Sequence, residues 1–86
     1  MQHWYWARQC VFCGQGRLMI MKDLAQNELY LHCEECEWGW RDPEEAGGRE
    51  GMFLTLSEPF DARPASIEEI RAADWTKYVV GHADED

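Results

Sequence analysis

Cys10-Val11-Phe12-Cys13 and Cys33-Glu34-Glu35-Cys36 are the stretches that decide how this chain folds. Nineteen residues, Gly14 to His32, lie between them. A pair of cysteines two residues apart delivers two sulfurs from a single turn. Two such pairs supply the four corners of a tetrahedral thiolate site. Cys10, Cys13, Cys33 and Cys36 are therefore predicted to hold one structural Zn2+ per chain. With all four positions filled by protein, no place is left for water or substrate, and no catalysis is expected at the metal. His32 precedes Cys33, and neighbours on a strand point to opposite faces, so it is not counted as a ligand.

The segment between the pairs reads as one β-hairpin. Arg17 to Lys22 is an apolar run with charged ends. Asp23 to Asn27 is a turn. Glu28 to His32 alternates Leu29 and Leu31 with Tyr30 and His32, the period of a half-buried strand. This hairpin runs from one cysteine pair into the other and brings them together. Gly14, just after Cys13, suits a tight turn whose amides point back at sulfur. Upstream, Trp4 to Arg8 is a candidate strand. Downstream, Trp38 and Trp40 share one face of a third hairpin-side strand.

Residues 42–65 read as a loop holding a helical turn and a short strand. Asp42 caps the turn, Pro43 occupies its first position and Glu45 is placed to close a capping box. Gly47 and Gly48 end it, Met52 to Leu56 is the strand, and Ser57 to Ala65 is irregular. Ser66-Ile67-Glu68-Glu69 is a capping box that opens a helix predicted over 66–80, with Gly81 as its stop. Ile67, Ile70, Trp75 and Tyr78 fall on one apolar arc of that helix and should pack on the sheet. His82 to Asp86 reads as a frayed tail.

Cys10, Cys13, Gly14, Cys33 and Cys36 resemble the ligand turns of the zinc-ribbon group. The resemblance covers residues 4–41 and implies a small metal-bound β fold, with an antiparallel hairpin and a third strand beside the metal. The C-terminal helix would pack on that ribbon. Glu37 departs from the pattern, because glycine often stands at that place, so the second turn is expected to differ from the first. Cys33 to Pro43 with its tryptophans, followed by the capped segment with Trp75 and Tyr78, is similar to small uncharacterised bacterial zinc-ribbon proteins. No activity carries over from them.

The chain has 86 residues, which fits a single domain, 1–86. Chains this short bury only about 60% of their unfolded surface. A structural zinc ion, worth ~10–16 kcal/mol in small zinc peptides, is the kind of support they need. Seventeen acidic residues face eight basic ones, for a net charge of −9. Such a chain repels phosphate backbones and favours a basic protein as partner. Glu34, Glu35 and Glu37, extended by Glu44, Glu45 and Glu50, form a candidate docking patch. No apolar run spans a membrane. Met1 to Trp6 lacks the features of a signal peptide, so a cytoplasmic location is expected.

No nucleophile–base set, phosphate loop or small-molecule substrate site is visible, and the chain is not read as an enzyme. The function expected is protein–protein binding through an acidic surface. A specific form is an immunity protein that neutralises a basic bacterial enzyme. Two alternatives remain open. One is a nucleic-acid-binding or transcription-associated ribbon, in which Trp4, Tyr5, Trp6, Trp38 and Trp40 would stack bases. The other is a rubredoxin-like iron electron carrier, since soft thiolates accept both metals.

Overall fold

A computed structural model describes residues 2–11, 13–46, 51–55 and 61–85. The side chains of 2, 3 and 83–85 are outside that description. The described residues build one antiparallel sheet. Its strands are β1 (Gln2–Gln9), β2 (Arg17–Asp23), β3 (Glu28–Cys33), β4 (Trp38–Trp40), β5 (Met52–Leu54), β6 (Ala62–Pro64) and β7 (Gly81–Glu85). Along the sheet the order is β5-β4-β3-β2-β1-β7, with β6 also paired to β2. Among the described residues one short α-helix, α1 (Ile67–Ala72), accompanies it. Among the described residues no helix is long and apolar enough to cross a membrane.

The predicted hairpin is present as β2 and β3, in register from Leu18↔Cys33 to Asp23↔Glu28. Period-two alternation places Leu18 and Ile20 opposite Cys33 and Leu31, and these four side chains are fully buried. Trp40 pairs with Leu31 and is also fully buried. Leu29, Ala65 and Ile70 complete this core, with Tyr5, Trp38 and Trp75 packed against it. The second face of the hairpin is not open to water throughout. Tyr30 is buried there beside the Phe53 ring, whose centroid is 5.7 Å away.

One edge of β2 is shared by two strands. Its first half pairs with β1, through Trp6↔Met19 and Gln9↔Arg17. Its second half pairs with β6, through Met21↔Pro64, Lys22↔Arg63 and Asp23↔Ala62. Residues 62–64 thus correct the expectation of loop up to Ala65. Pro64 ends a three-residue strand that has β2 on one side, where proline is tolerated. The hairpin turn is fixed by Asp23, whose Oδ1 accepts from the Ala25 and Gln26 amides at 2.9 and 3.1 Å. Asp42 caps the turn Pro43–Glu45 as expected, accepting from the Glu44 amide. The glycines expected to end it, Gly47 and Gly48, lie outside the described residues, as do 56–60 of the expected strand end and loop.

The C-terminal segment differs most from expectation. The capping box at Ser66 and Glu69 is formed in both directions. The helix nevertheless ends at Ala72 rather than at 80. Asp74 adopts φ +62°, the Asp74 amide bonds Arg71 oxygen and the Trp75 amide bonds Ile70 oxygen. This is the Schellman termination, with aspartate in the place where glycine is usual. A 3-10 turn, Thr76–Tyr78, follows. Ile70, Trp75 and Tyr78 still reach the core, because the turn keeps them on the side of the sheet.

The tail expected to fray is a strand instead. β7 pairs with β1 from Trp6↔Gly81 to Gln2↔Glu85. Gly81 lies against the Trp6 indole, and a Cβ there would meet Nε1 at 2.8 Å. The outer edge of β1 offers unpaired backbone groups, and a polar tail satisfies them as well as an apolar one.

Candidate metal centre

The two cysteine turns arise where strands end. Cys10 follows β1 and Cys33 closes β3. Because Leu18 is paired with Cys33, the start of β2 lies beside the second turn while its preceding residues form the first. The hairpin therefore brings the four sulfurs together. All four Sγ atoms lie within 4.8 Å of one another, a group able to hold a metal ion. Between the turns, Cys13 Sγ lies 3.6 Å from Cys33 Sγ and Cys10 Sγ lies 3.9 Å from Cys36 Sγ. Cys10 and Cys33 are fully buried, whereas Cys13 and Cys36 are half-buried.

Each turn repeats the other. The Gly14 amide donates to Cys10 oxygen at 2.9 Å, and the Glu37 amide donates to Cys33 oxygen at 3.2 Å. Gly14 has φ +74° and Glu37 has φ +67°. The second turn therefore takes the shape of the first, contrary to the difference expected from Glu37. Backbone amides also point at sulfur. Cys33 Sγ accepts from the Cys36 amide at 3.4 Å, and Cys13 is held by the Gly16 and Gln15 amides. These donors orient the sulfurs and favour the thiolate form.

The electrostatics set Cys13 apart from Cys33 and Cys36. The Gly16 and Gln15 amides bring Cys13 down to about 6. Burial pushes Cys33 up to about 12, against the opposing Cys36 and Glu35 amides. Burial raises Cys36 as well. A buried sulfur cluster of this kind resists holding several negative charges by itself. A metal cation bound by Cys10, Cys13, Cys33 and Cys36 would supply the opposing charge, and the thiols would release protons on becoming its ligands. Four sulfur donors would suit a soft metal ion.

Arg17 and Glu34 strap the two turns together. The Glu34 carboxylate accepts from the Arg17 amide at 2.9 Å and from Nε at 2.7 Å, while the Glu34 amide donates to Arg17 oxygen. The Arg17 guanidinium lies over the Trp6 ring. Glu37 faces His32 Nε2 at 3.3 Å. Burial lowers the pKa of His32 against the opposing Glu37 and Glu34 carboxylates. His32 is not part of the sulfur group, as expected. Two of the three carboxylates read as a docking patch around Cys36 are thus engaged within the chain, and Glu35 remains exposed.

Two contributors escaped the sequence reading. Gly16 gives room to Cys33, since a Cβ there would meet its Sγ at 2.7 Å. Its only sequence signal is a second glycine two residues after Gly14. The Arg17–Glu34 strap joins residues 17 apart, and no local pattern announces it.

No family model matches the chain, and no curated protein or solved structure matches it. The fold and site thus define a small antiparallel β protein with one short helix and a four-cysteine group able to hold a metal ion.

Proposed function

We propose that Cys10, Cys13, Cys33 and Cys36 hold one Zn2+, that the chain is a zinc-ribbon protein, and that it works by binding a basic protein. The metal supplies structure: it ties the end of β1 to the end of β3. Support comes from four sulfurs delivered by two equivalent turns, with amide donors aimed at them.

The observation that carries the binding reading is how the basic residues are used. Arg17, Lys22, Arg41, Arg63 and Lys77 each face a carboxylate of the same chain. Exposed Glu35, Asp42, Glu45, Asp61 and Glu68 have no ion pair among the described residues. Among the same residues Arg8 and Arg71 are exposed without an ion pair as well, so the outward charge is acidic on balance, which attracts a basic surface and speeds encounter with it. The specific form of this reading is neutralisation of a basic enzyme, with the acidic face covering the substrate surface of that enzyme.

Two measurements test the proposal. Protein purified without a metal-affinity tag should contain one zinc per chain and lose its β circular dichroism on chelation. A red, iron-loaded protein, or an intact fold after chelation, would overturn the metal reading. Binding to a basic nuclease domain should weaken steeply as salt rises. Salt-independent association, or saturable binding of a DNA duplex at low salt, would overturn the partner reading.

A further inference from the structure

We propose that the sulfur centre is also a site of reversible oxidation by peroxide, in which the two turns become joined by the disulfides Cys13–Cys33 and Cys10–Cys36. The inference rests on the zinc reading. It follows from how depth and distance are distributed among the sulfurs. One cysteine of each turn, Cys13 or Cys36, is half-buried, and its partner in the turn is fully buried. Each half-buried sulfur has a fully buried sulfur of the other turn close by, at 3.6 Å for Cys13 and Cys33 and 3.9 Å for Cys36 and Cys10. An attackable thiolate and a resolving thiolate are thus paired across the turns.

Zinc holds its sulfurs as thiolates, the nucleophilic form. Cys13 sulfur attacks one oxygen of hydrogen peroxide. The S–O bond forms, the O–O bond breaks, and the departing hydroxide takes up a proton to become water. Cys33 thiolate then attacks that sulfenic sulfur. The S–S bond forms, the S–O bond breaks, and the second hydroxide leaves as water with another proton. Two electrons pass from sulfur to peroxide, and the metal changes no oxidation state. The same sequence at Cys36 and Cys10 consumes a second peroxide. The products are two disulfides, four waters and one released zinc ion.

The linkage has a structural consequence. Both disulfides join the residues that the metal joined, so the end of β1 stays tied to the end of β3. Oxidised protein should remain folded without metal, unlike chelated protein. A thiol reductant with added Zn2+ should restore the original state. In a reducing compartment, a disulfide of this kind is transient and serves sensing rather than stability.

The chain provides its own readout. Cleavage after Arg and Lys leaves Cys10 and Cys13 on the peptide 9–17, and Cys33 and Cys36 on the peptide 23–41. Zinc-loaded wild-type protein is titrated with hydrogen peroxide, with released zinc followed by a colorimetric chelator. It is then alkylated and digested without reduction, and the peptides are read by mass spectrometry. The expected result is one zinc released per two peroxides, and a doubly linked peptide pair whose fragments join Cys13 to Cys33 and Cys10 to Cys36. Separate peptides, each lighter by two hydrogens, would mean pairing within each turn and would overturn the proposal. Retained zinc with oxidised methionines only, or sulfonic acids without disulfides, would overturn it too. Absence of zinc from the starting protein would instead defeat the metal reading on which it rests.

Discussion

Glu37 holds in the second cysteine turn the backbone conformation that Gly14 holds in the first, at φ +67° against +74°. Glycine reaches this region freely, whereas a residue with a Cβ is disfavoured there by about 1–2 kcal/mol. The opposing gain is the contact between Glu37 and half-buried His32, and a partly exposed pair of this type is worth less than about 1 kcal/mol. The Glu37→Gly protein should therefore be more stable than wild type, by about 0.5 kcal/mol after the added unfolded-state entropy of glycine. Glu37→Val should lose on the order of 1–2 kcal/mol. Denaturant titration of the metal-loaded proteins gives both values, and a destabilised glycine variant would show that the His32 contact outweighs the backbone cost.

Gly14 and Gly16 make opposite demands on the same turn. A Cβ at Gly14 meets nothing within 4 Å, so alanine there costs only the positive φ, ~1–2 kcal/mol of stability. A Cβ at Gly16 collides with Cys33 Sγ at 2.7 Å and with Glu35 Cγ at 2.9 Å. Moving that sulfur disturbs a metal ligand, and displaced ligand support typically reduces affinity by ~10–100-fold. Chelator competition should find Gly16→Ala at least tenfold weaker for Zn2+ and Gly14→Ala near wild type. Equal affinities in the two variants would contradict the packing assigned to Gly16.

Asp23 is the fully buried charge of the hairpin turn. Burial acts to raise the pKa of its carboxyl, but the Gln26 amide, Arg41 and the Ala25 amide together hold it below the usual value. Arg41 donates to Oδ2 at 3.0 Å and lies over the rings of Phe53 and Tyr30. Removing the carboxylate strands two turn amides and a partly buried guanidinium. Asp23→Ala should lose about 3–5 kcal/mol, as for one partner removed from a buried pair. Asp23→Asn keeps an acceptor for the turn and should lose less. Thermal unfolding of the metal-loaded proteins would rank them, and equal losses would assign the whole effect to the charge.

What the sequence disclosed was local chemistry, and what it hid was partnership between distant segments. The cysteine spacing, the Leu29–Leu31 alternation and the Ser66–Glu69 capping box are patterns within a few residues, and each reappears in the structure. The end of α1 was misread because Trp75 and Tyr78 continue the helical spacing of Ile67 and Ile70, although Asp74 has already turned the chain. Aspartate rarely takes that place, so no stop was visible before Gly81. Strands β6 and β7 carry no apolar alternation. They form because the edges of β2 and β1 need backbone partners, which is a property of the assembled sheet. Half of the acidic patch was likewise legible only as charge, since the Arg17 that engages Glu34 lies on another strand.

Glu69 gives the fold a specific sensitivity to acid. Hydrogen bonds from Arg63, at 2.8 and 2.6 Å, together with the Ser66 amide, bring its carboxyl down to about 2 from the model-peptide value near 4.5. The folded pKa is depressed, so the unfolded chain binds the proton more readily. The stabilisation is fully present above pH ~4.5 and is lost progressively as pH falls through ~2. Arg63 is 45% exposed, so water screens the pair and the contribution is about 1 kcal/mol. Glu69→Gln should lower stability at pH 7 by that amount and flatten the acid limb between pH ~4.5 and ~2. Metal loss also occurs in acid as thiolates take up protons. The comparison is therefore made as the difference between the variant and wild type, with metal content recorded at each pH. If both proteins retain the same metal and their stabilities run parallel from pH 5 to pH 2, the capping carboxylate contributes no acid sensitivity.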